Sequence, residues 1–367
     1  MAELPPNAPE VIGDRRVWDV IVLGCGPTGL AVAVEARCRG LSVLVLEKKE
    51  MMTTIIEKFP VGKPVYMNYL GVGVEFIGNV RFPDELSKDE FISACRGYHR
   101  AYGFALHEGE EIISIRKTGG FFECKGKQAY YGRVVMLCIG VFGKPNSLPI
   151  AIPPQCKSRV LYDLDDPRKF SSKSILVVGG GDTAAETVEY LKGNNAVAVS
   201  YRRAEFLKGE RLSQRNYTNL YDAIVKKEIE ALLCTNVTSI SAAGERVAVE
   251  LAHDDGRKET REFDVVFLCL GGTPPVQFMK SVGLELDDRS PKLGEGMEAA
   301  NIPGFYVLGD VAHLKERQGE KGILEKKTIV NSLKHTVYAI EHACRTHLRP
   351  KLPTPQVIPK ERISPLL

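Results

Sequence analysis

Apolar and polar positions fall twice into the same order along this chain of 367 residues: a short apolar run, a glycine-rich break, then an amphipathic stretch. The first copy, "VIVLGCGPTGLAVAVEA", starts at Val20, and the second, "ILVVGGGDTAAETVEYL", starts at Ile175. Unbroken apolar runs such as residues 20–23 predict parallel strands covered on both faces, and the stretches after the glycines predict helices. A further apolar run closes each copy, "SVLVLE" in one and "VAVSYRR" in the other, so each reads strand, turn, helix, strand. Near the carboxyl end, Ile329, Leu333, Val337 and Ile340 recur at helical spacing and predict one more helix. "RPKLPTPQVIPKERISPLL" carries five prolines and predicts an extended tail instead. Strands alternating with helices make the fold class α/β.

The two glycine turns carry the chemistry. Gly24, Gly26 and Gly29 form GxGxxG, in which the first glycine permits a tight turn and the second lets backbone approach a pyrophosphate. The third lets helix and strand pack closely, and the free N–H groups and dipole of the new helix face the phosphate. Glu47 ends the following strand, where its carboxylate can accept ribose hydroxyls; this choice of residue is compatible with either FAD or NAD. Gly179, Gly181 and Ala184 repeat the turn as GxGxxA, but Arg202 and Arg203 stand where the first copy has its acid. Guanidinium groups bind a 2′-phosphate that a carboxylate would repel, which predicts NADP at the second turn. A flavin and a nicotinamide form a chemically sensible pair, because hydride passes between their rings.

Bulk properties remove other classes. With 44% hydrophobic and 26% charged residues the composition is that of a globular protein, and a length of 367 suggests about two domains. A net charge of +3 argues against nucleic acid as a partner, and no apolar run is long enough for a membrane span. The amino-terminal residues lack the apolar core of a secretory signal. The nine cysteines are scattered with no CxxC pair, which predicts reduced thiols in a cytoplasmic protein and no metal site.

Three more stretches, added to the two turns, make the chain resemble the thioredoxin reductase-like flavoproteins across residues 17 to 346. "RVVMLCIGVFGKPNSLP" and "DVVFLCLGGTPP" look like the strand-to-glycine crossings that join the two domains of that superfamily, with Gly140 and Gly271 at the crossings. "IPGFYVLGDVA" resembles its flavin-binding GD motif, which gives Gly309 and Asp310 a place beside the flavin. The resemblance implies two Rossmann-like, three-layer domains, the NADPH domain (152–275) inserted into a discontinuous FAD domain (17–151 and 276–346), with a Pro-rich tail at 347–367. It implies an FAD set of Gly24, Gly26, Pro27, Thr28, Gly29, Glu47, Lys48, Thr54, Tyr66, Gly140, Gly309 and Asp310. The NADPH set is Gly179, Gly181, Asp182, Thr183, Ala184, Arg202, Arg203 and Gly271. It further implies that the last helix points its amino end at the flavin, and that the chain assembles as a homodimer.

The chain departs from thioredoxin reductases where they carry a CxxC ahead of the second turn, for here Cys156 stands alone. Relay of electrons to thioredoxin through such a pair is therefore not expected. Two branches lacking that dithiol remain. The first, which "EKFPVGKPVYMNY" resembles, is the bacillithiol disulfide reductase-like group, implying NADPH-dependent reduction of a small-molecule or protein disulfide. Its lone turn cysteine would fall at Thr28; this chain has Cys25 instead, a candidate thiol if the helix end depresses its pKa. The second is ferredoxin-NADP reductase of the thioredoxin-reductase type, whose partner is a ferredoxin. Flavin monooxygenases rank behind both, since their FxGxxxHxxx(W/F) fingerprint is missing, and a non-catalytic FAD/NADP sensor is a further alternative. His313 and His335 are candidate proton donors, and residues 312–328 a candidate lid or docking loop.

Overall fold

The computed structural model describes residues 4–67, 77–141, 144–208, 212–313 and 328–352. They form two compact units, one from residues up to 56, 62–143 and 274 onward, the other from 57–61 and 144–273.

The first unit opens with β1 (Arg15–Leu23), α1 (Pro27–Cys38) and β2 (Val43–Leu46), followed by α2 (Lys88–Tyr102) and β3 (Ala105–His107). A meander of β4 (Ser114–Thr118), β5 (Phe121–Lys125) and β6 (Ala129–Leu137) completes this segment. In the second unit come β7 (Val160–Leu161), β8 (Ser174–Val178), α3 (Asp182–Leu191), β9 (Ala196–Tyr201), α4 (Gln214–Val225) and β10 (Glu230–Leu233). The antiparallel strands β11 (Thr235–Ala243), β12 (Arg246–His253) and β13 (Lys258–Phe263) follow, then β14 (Val265–Leu268). The chain returns to the first unit with β15 (Phe305–Val307) and α5 (Ile329–Thr346).

Each unit is built on a parallel sheet. In the first, β3, β2, β1, β6 and β15 lie side by side in parallel, and β5 pairs antiparallel with the start of β6. Residues 20–23 are buried, as the continuous apolar run requires. On one face of this sheet Ile21, Leu44, Val135 and Phe305 pack with Phe122 of β5; α1 packs against both α2 and α5. The second unit runs β7, β14, β8, β9, β10, all parallel. Its sheet has α3 and α4 against one face, through Val188, Leu191 and Leu220, and β11 to β13 against the other, through Val237, Val249 and Phe263. Both units are thus the layered α/β arrangement that the repeated pattern predicts. Residues 144–151, expected in the first domain, pack with the second unit, because Leu148 and Ile150 lie on its apolar cluster and Lys144–Pro145 pairs with Gly272–Thr273.

A buried ion pair holds the first helix. Glu35 of α1 and Arg39, which caps its carboxyl end, meet at 2.9 Å, and Glu35 also accepts from the Asn79 backbone and side-chain amides at 2.5 and 2.9 Å. Glu35 is 2% exposed, so these donors replace its lost hydration.

Candidate dinucleotide sites

Each glycine in the first turn does a separate steric task. Gly24 has φ +97°, and a Cβ there would sit 2.6 Å from the Cys138 carbonyl oxygen. A Cβ at Gly29 would fall 1.9 Å from the Gly24 carbonyl oxygen, so α1 and β1 approach as closely as a hydrogen allows. At Gly26, by contrast, nothing lies within 4 Å. Gly26 also N-caps α1 without any side-chain acceptor for the first N–H groups. Tight turn, open space and uncapped helix together fit a phosphate-bearing dinucleotide.

Glu47 follows β2 directly. Its Oε2 accepts from the Cys25 backbone N–H at 2.6 Å and its Oε1 from the Lys49 N–H at 3.0 Å, so the carboxylate is held against the turn before any ligand arrives. The GD stretch reaches the same place from the other end of the chain: Gly309 has φ +75°, and a Cβ there would meet Thr28 Oγ1 at 2.7 Å. Asp310, half-buried, lies in the first turn of the short 3-10 segment Gly309–His313. Tyr66 ends a short strand, Pro64–Tyr66, paired with Glu85–Ser87. Gly140 has φ +62° with open space around it. Pro27 starts α1, where a missing N–H costs nothing.

Other expected residues stand differently. Lys48 is exposed and ion-paired with Glu111 at 2.7 Å, and Thr54 is exposed on the helix Thr53–Lys58. Cys25 corrects the expectation of a depressed thiol: it is fully buried, and burial, followed by the Glu47 and Glu108 carboxylates, raises its pKa. His335 is buried in α5; the side chain of His313, and residues 314–327 of the candidate lid, lie outside the described residues.

The second turn repeats the first in detail. Gly179 has φ +142°, and a Cβ there would meet the Cys269 carbonyl oxygen at 2.3 Å. Cys138 N–H bonds Leu23 in the first unit and Cys269 N–H bonds Val178 in the second, so equivalent carbonyls crowd equivalent glycines. The signal for this was present in the repeated "LCIG" and "LCLG". Gly181 N-caps α3 with no side-chain cap, and Ala184 is 1% exposed. Arg202 and Arg203 are exposed immediately after β9, and among the described residues neither is ion-paired. Thr183 is exposed, whereas the Asp182 carboxylate is engaged, accepting from Ser213 N–H at 2.9 Å and Asn216 Nδ2 at 2.7 Å. Gly271 has φ +75°, and its carbonyl accepts from Asn146 N–H. Asn146, which sequence reasoning missed, also donates to the Leu270 carbonyl, fastening the two crossing segments together.

A family model described as pyridine nucleotide-disulphide oxidoreductase matches residues 21–309. The chain belongs to this family. It is accordingly an oxidoreductase that works with a pyridine nucleotide. Among curated relatives, the ferredoxin-NADP reductase of Ignicoccus hospitalis is 28% identical, the match spanning 82% of this chain and 92% of that one. The bacillithiol disulfide reductase of Staphylococcus aureus matches in structure with a TM-score of 0.72 and 19% identity over 89% of this chain and 98% of its own. Thioredoxin reductase of T. acidophilum gives 0.69 and 22% over 89% and 97%. The fold of this family member is therefore that of the two reductases. Among the described residues, no helix is long and apolar enough to cross a membrane.

Proposed function

We propose that the chain takes hydride from NADPH and delivers electrons to a one-electron carrier of the ferredoxin type. The observation that carries the choice of acceptor is the placement of Cys25. A thiol that passes electrons to a disulfide must ionise and be reached, and this one is buried with a raised pKa. Cys156, where the dithiol of a thioredoxin reductase would be sought, is buried as well. The name carried by the Ignicoccus relative favours the same acceptor. The disulfide-reducing alternative rests on fold likeness at 19% identity.

In this reading the Gly24–Gly29 turn, Glu47, Thr28, Tyr66, Gly140, Gly309 and Asp310 hold FAD, and the Gly179–Ala184 turn with Arg202 and Arg203 holds NADPH. When bound, the flavin converts a two-electron hydride into electrons that an acceptor takes one at a time. Gly26 leaves room for the pyrophosphate, the uncapped end of α1 offers it N–H groups, and Glu47, preset by the Cys25 amide, accepts from ribose hydroxyls. The two arginines select the 2′-phosphate. Homodimeric assembly and a cytoplasmic location belong to the same reading.

The test follows NADPH oxidation by the purified holoprotein with a ferredoxin, and separately with a panel of low-molecular-weight and protein disulfides. Turnover with the ferredoxin, unaffected by Cys25→Ser, is expected. Disulfide turnover that Cys25→Ser abolishes would overturn the proposal.

A further inference from the structure

One side chain crowds the second glycine turn. A Cβ at Gly180 would fall 2.3–2.5 Å from Cε2, Cδ2 and Cζ of Tyr201, so the hydroxyl-bearing edge of that ring lies on the turn itself. The ring also stacks on Phe206, centroids 5.1 Å apart and planes 3° from parallel, which fixes its position. Tyr201 is only 7% exposed, and its hydroxyl is buried with no hydrogen-bond partner among the described residues. Buried hydroxyls are nearly always bonded, and an unpaired one destabilises the protein that carries it. Tyr201 ends β9 immediately before Arg202 and Arg203, and the turn its ring touches leads into α3, which starts without a side-chain cap.

Resting on the reading that this turn holds NADPH, we propose that Tyr201 is a nucleotide-contact residue whose hydroxyl donates to a phosphate oxygen on the adenosine half of the cofactor. None of the described residues matches this donor, and the nucleotide supplies the acceptor. Since none of the described residues is bonded to that hydroxyl, reaching it breaks no hydrogen bond among them, and the stack on Phe206 keeps the ring from swinging away. The phosphate concerned is either the 2′-phosphate beside the arginines or the one seated on the turn.

Tyr201→Phe removes the oxygen alone. Titration calorimetry of the FAD-loaded protein with 2′,5′-ADP and with ADP, together with thermal melts free of nucleotide, reads the outcome. The variant is expected to bind 2′,5′-ADP about tenfold or more weakly, as for a lost hydrogen bond to a charged group, and to melt at a higher temperature without nucleotide. Weakening confined to 2′,5′-ADP identifies the 2′-phosphate; proportionate weakening of ADP identifies the phosphate on the turn. Unchanged affinity for both overturns the proposal, and so does a lowered melting temperature, which would mean the hydroxyl has a structural partner. Failure of the unmodified protein to bind either nucleotide overturns the underlying reading of the turn and the proposal with it.

Discussion

Alanine at Gly26 and alanine at Gly29 exchange the same hydrogen for the same methyl, three residues apart, yet they are expected to damage different quantities. At Gly29 the new Cβ lands 1.9 Å from a backbone oxygen and 3.3 Å from Val22 Cγ1, whereas ordinary contact begins at 3.4 Å. Helix α1 must therefore retreat from β1 by more than 1 Å, against neighbours such as Leu30, Val32 and Val22 that are fully buried. Overpacking a tight core costs about 1–3 kcal/mol, and the upper end applies because backbone has to move. For a unit of this size each kcal/mol lowers Tm by about 2–4 °C, so the FAD-free Gly29→Ala protein should melt about 6–12 °C lower. At Gly26 the backbone is at φ −77°, ψ −174°, which any residue adopts, and the methyl meets no atom within 4 Å. Folding then loses only the preference for glycine at an N-cap, about 0.5–1 kcal/mol or about 1–4 °C. The methyl fills the space left for the pyrophosphate, and FAD affinity should fall about tenfold or more, which is about 1.4 kcal/mol. Differential scanning fluorimetry of the apoprotein and quenching of flavin fluorescence on titration measure the two quantities. Gly26→Ala binding FAD within twofold of the unmodified protein would refute the assignment of that space, and equal melting temperatures for the two variants would refute the steric argument.

Arg202→Ala and Arg203→Ala should each raise KM for NADPH about tenfold or more while leaving KM for NADH unchanged, as charge-assisted bonds to a phosphate contribute about 1.5–3 kcal/mol; an equal rise for both coenzymes would show that the arginines do not read the 2′-phosphate. Burial pushes Cys38 and Cys269 up to about 12 from an ordinary 9.0. Their protonated state is favoured in the fold, so the stability this contributes is complete below pH 9 and is lost as pH rises toward 12. Urea unfolding at pH 8, 9 and 10 should show a falling midpoint, and Ellman's reagent at pH 8 should leave Cys25, Cys38 and Cys269 unmodified until the protein unfolds; modification of Cys25 in the folded protein would refute its burial. Glu35→Ala takes the nearer carboxylate from buried Arg39, leaving it Glu341 at 3.6 Å, removes the acceptor of half-buried Asn79, and should cost about 3 kcal/mol by urea unfolding. A loss below 1 kcal/mol would mean water reaches the pair.

The two glycine turns were legible because everything that defines them is local. Strand, glycines, helix and the residue that ends the second strand fall within about thirty consecutive positions, and the difference between Glu47 and the Arg202–Arg203 pair is one of charge alone. The order of the motifs likewise carried the fold class. Lys48 and Asp182 were read only as members of a motif, and their structural partners, Glu111 and the start of α4, lie 63 and 34 residues away for the bonds to Glu111 and Asn216. No pattern around either residue announces such a partner.

Taken alone, the amino-acid order determined two glycine turns, each followed by a strand ending in side chains of opposite charge, since turn geometry and charge are properties of contiguous residues. Tertiary structure alone decided which atoms press on those turns: the carbonyls of Cys138 and Cys269, Thr28 beneath Gly309, and Tyr201 across Gly180. It also decided the state of Cys25, because a thiol's pKa follows its burial and neighbouring charges, and both are set by segments that meet only when the chain has closed.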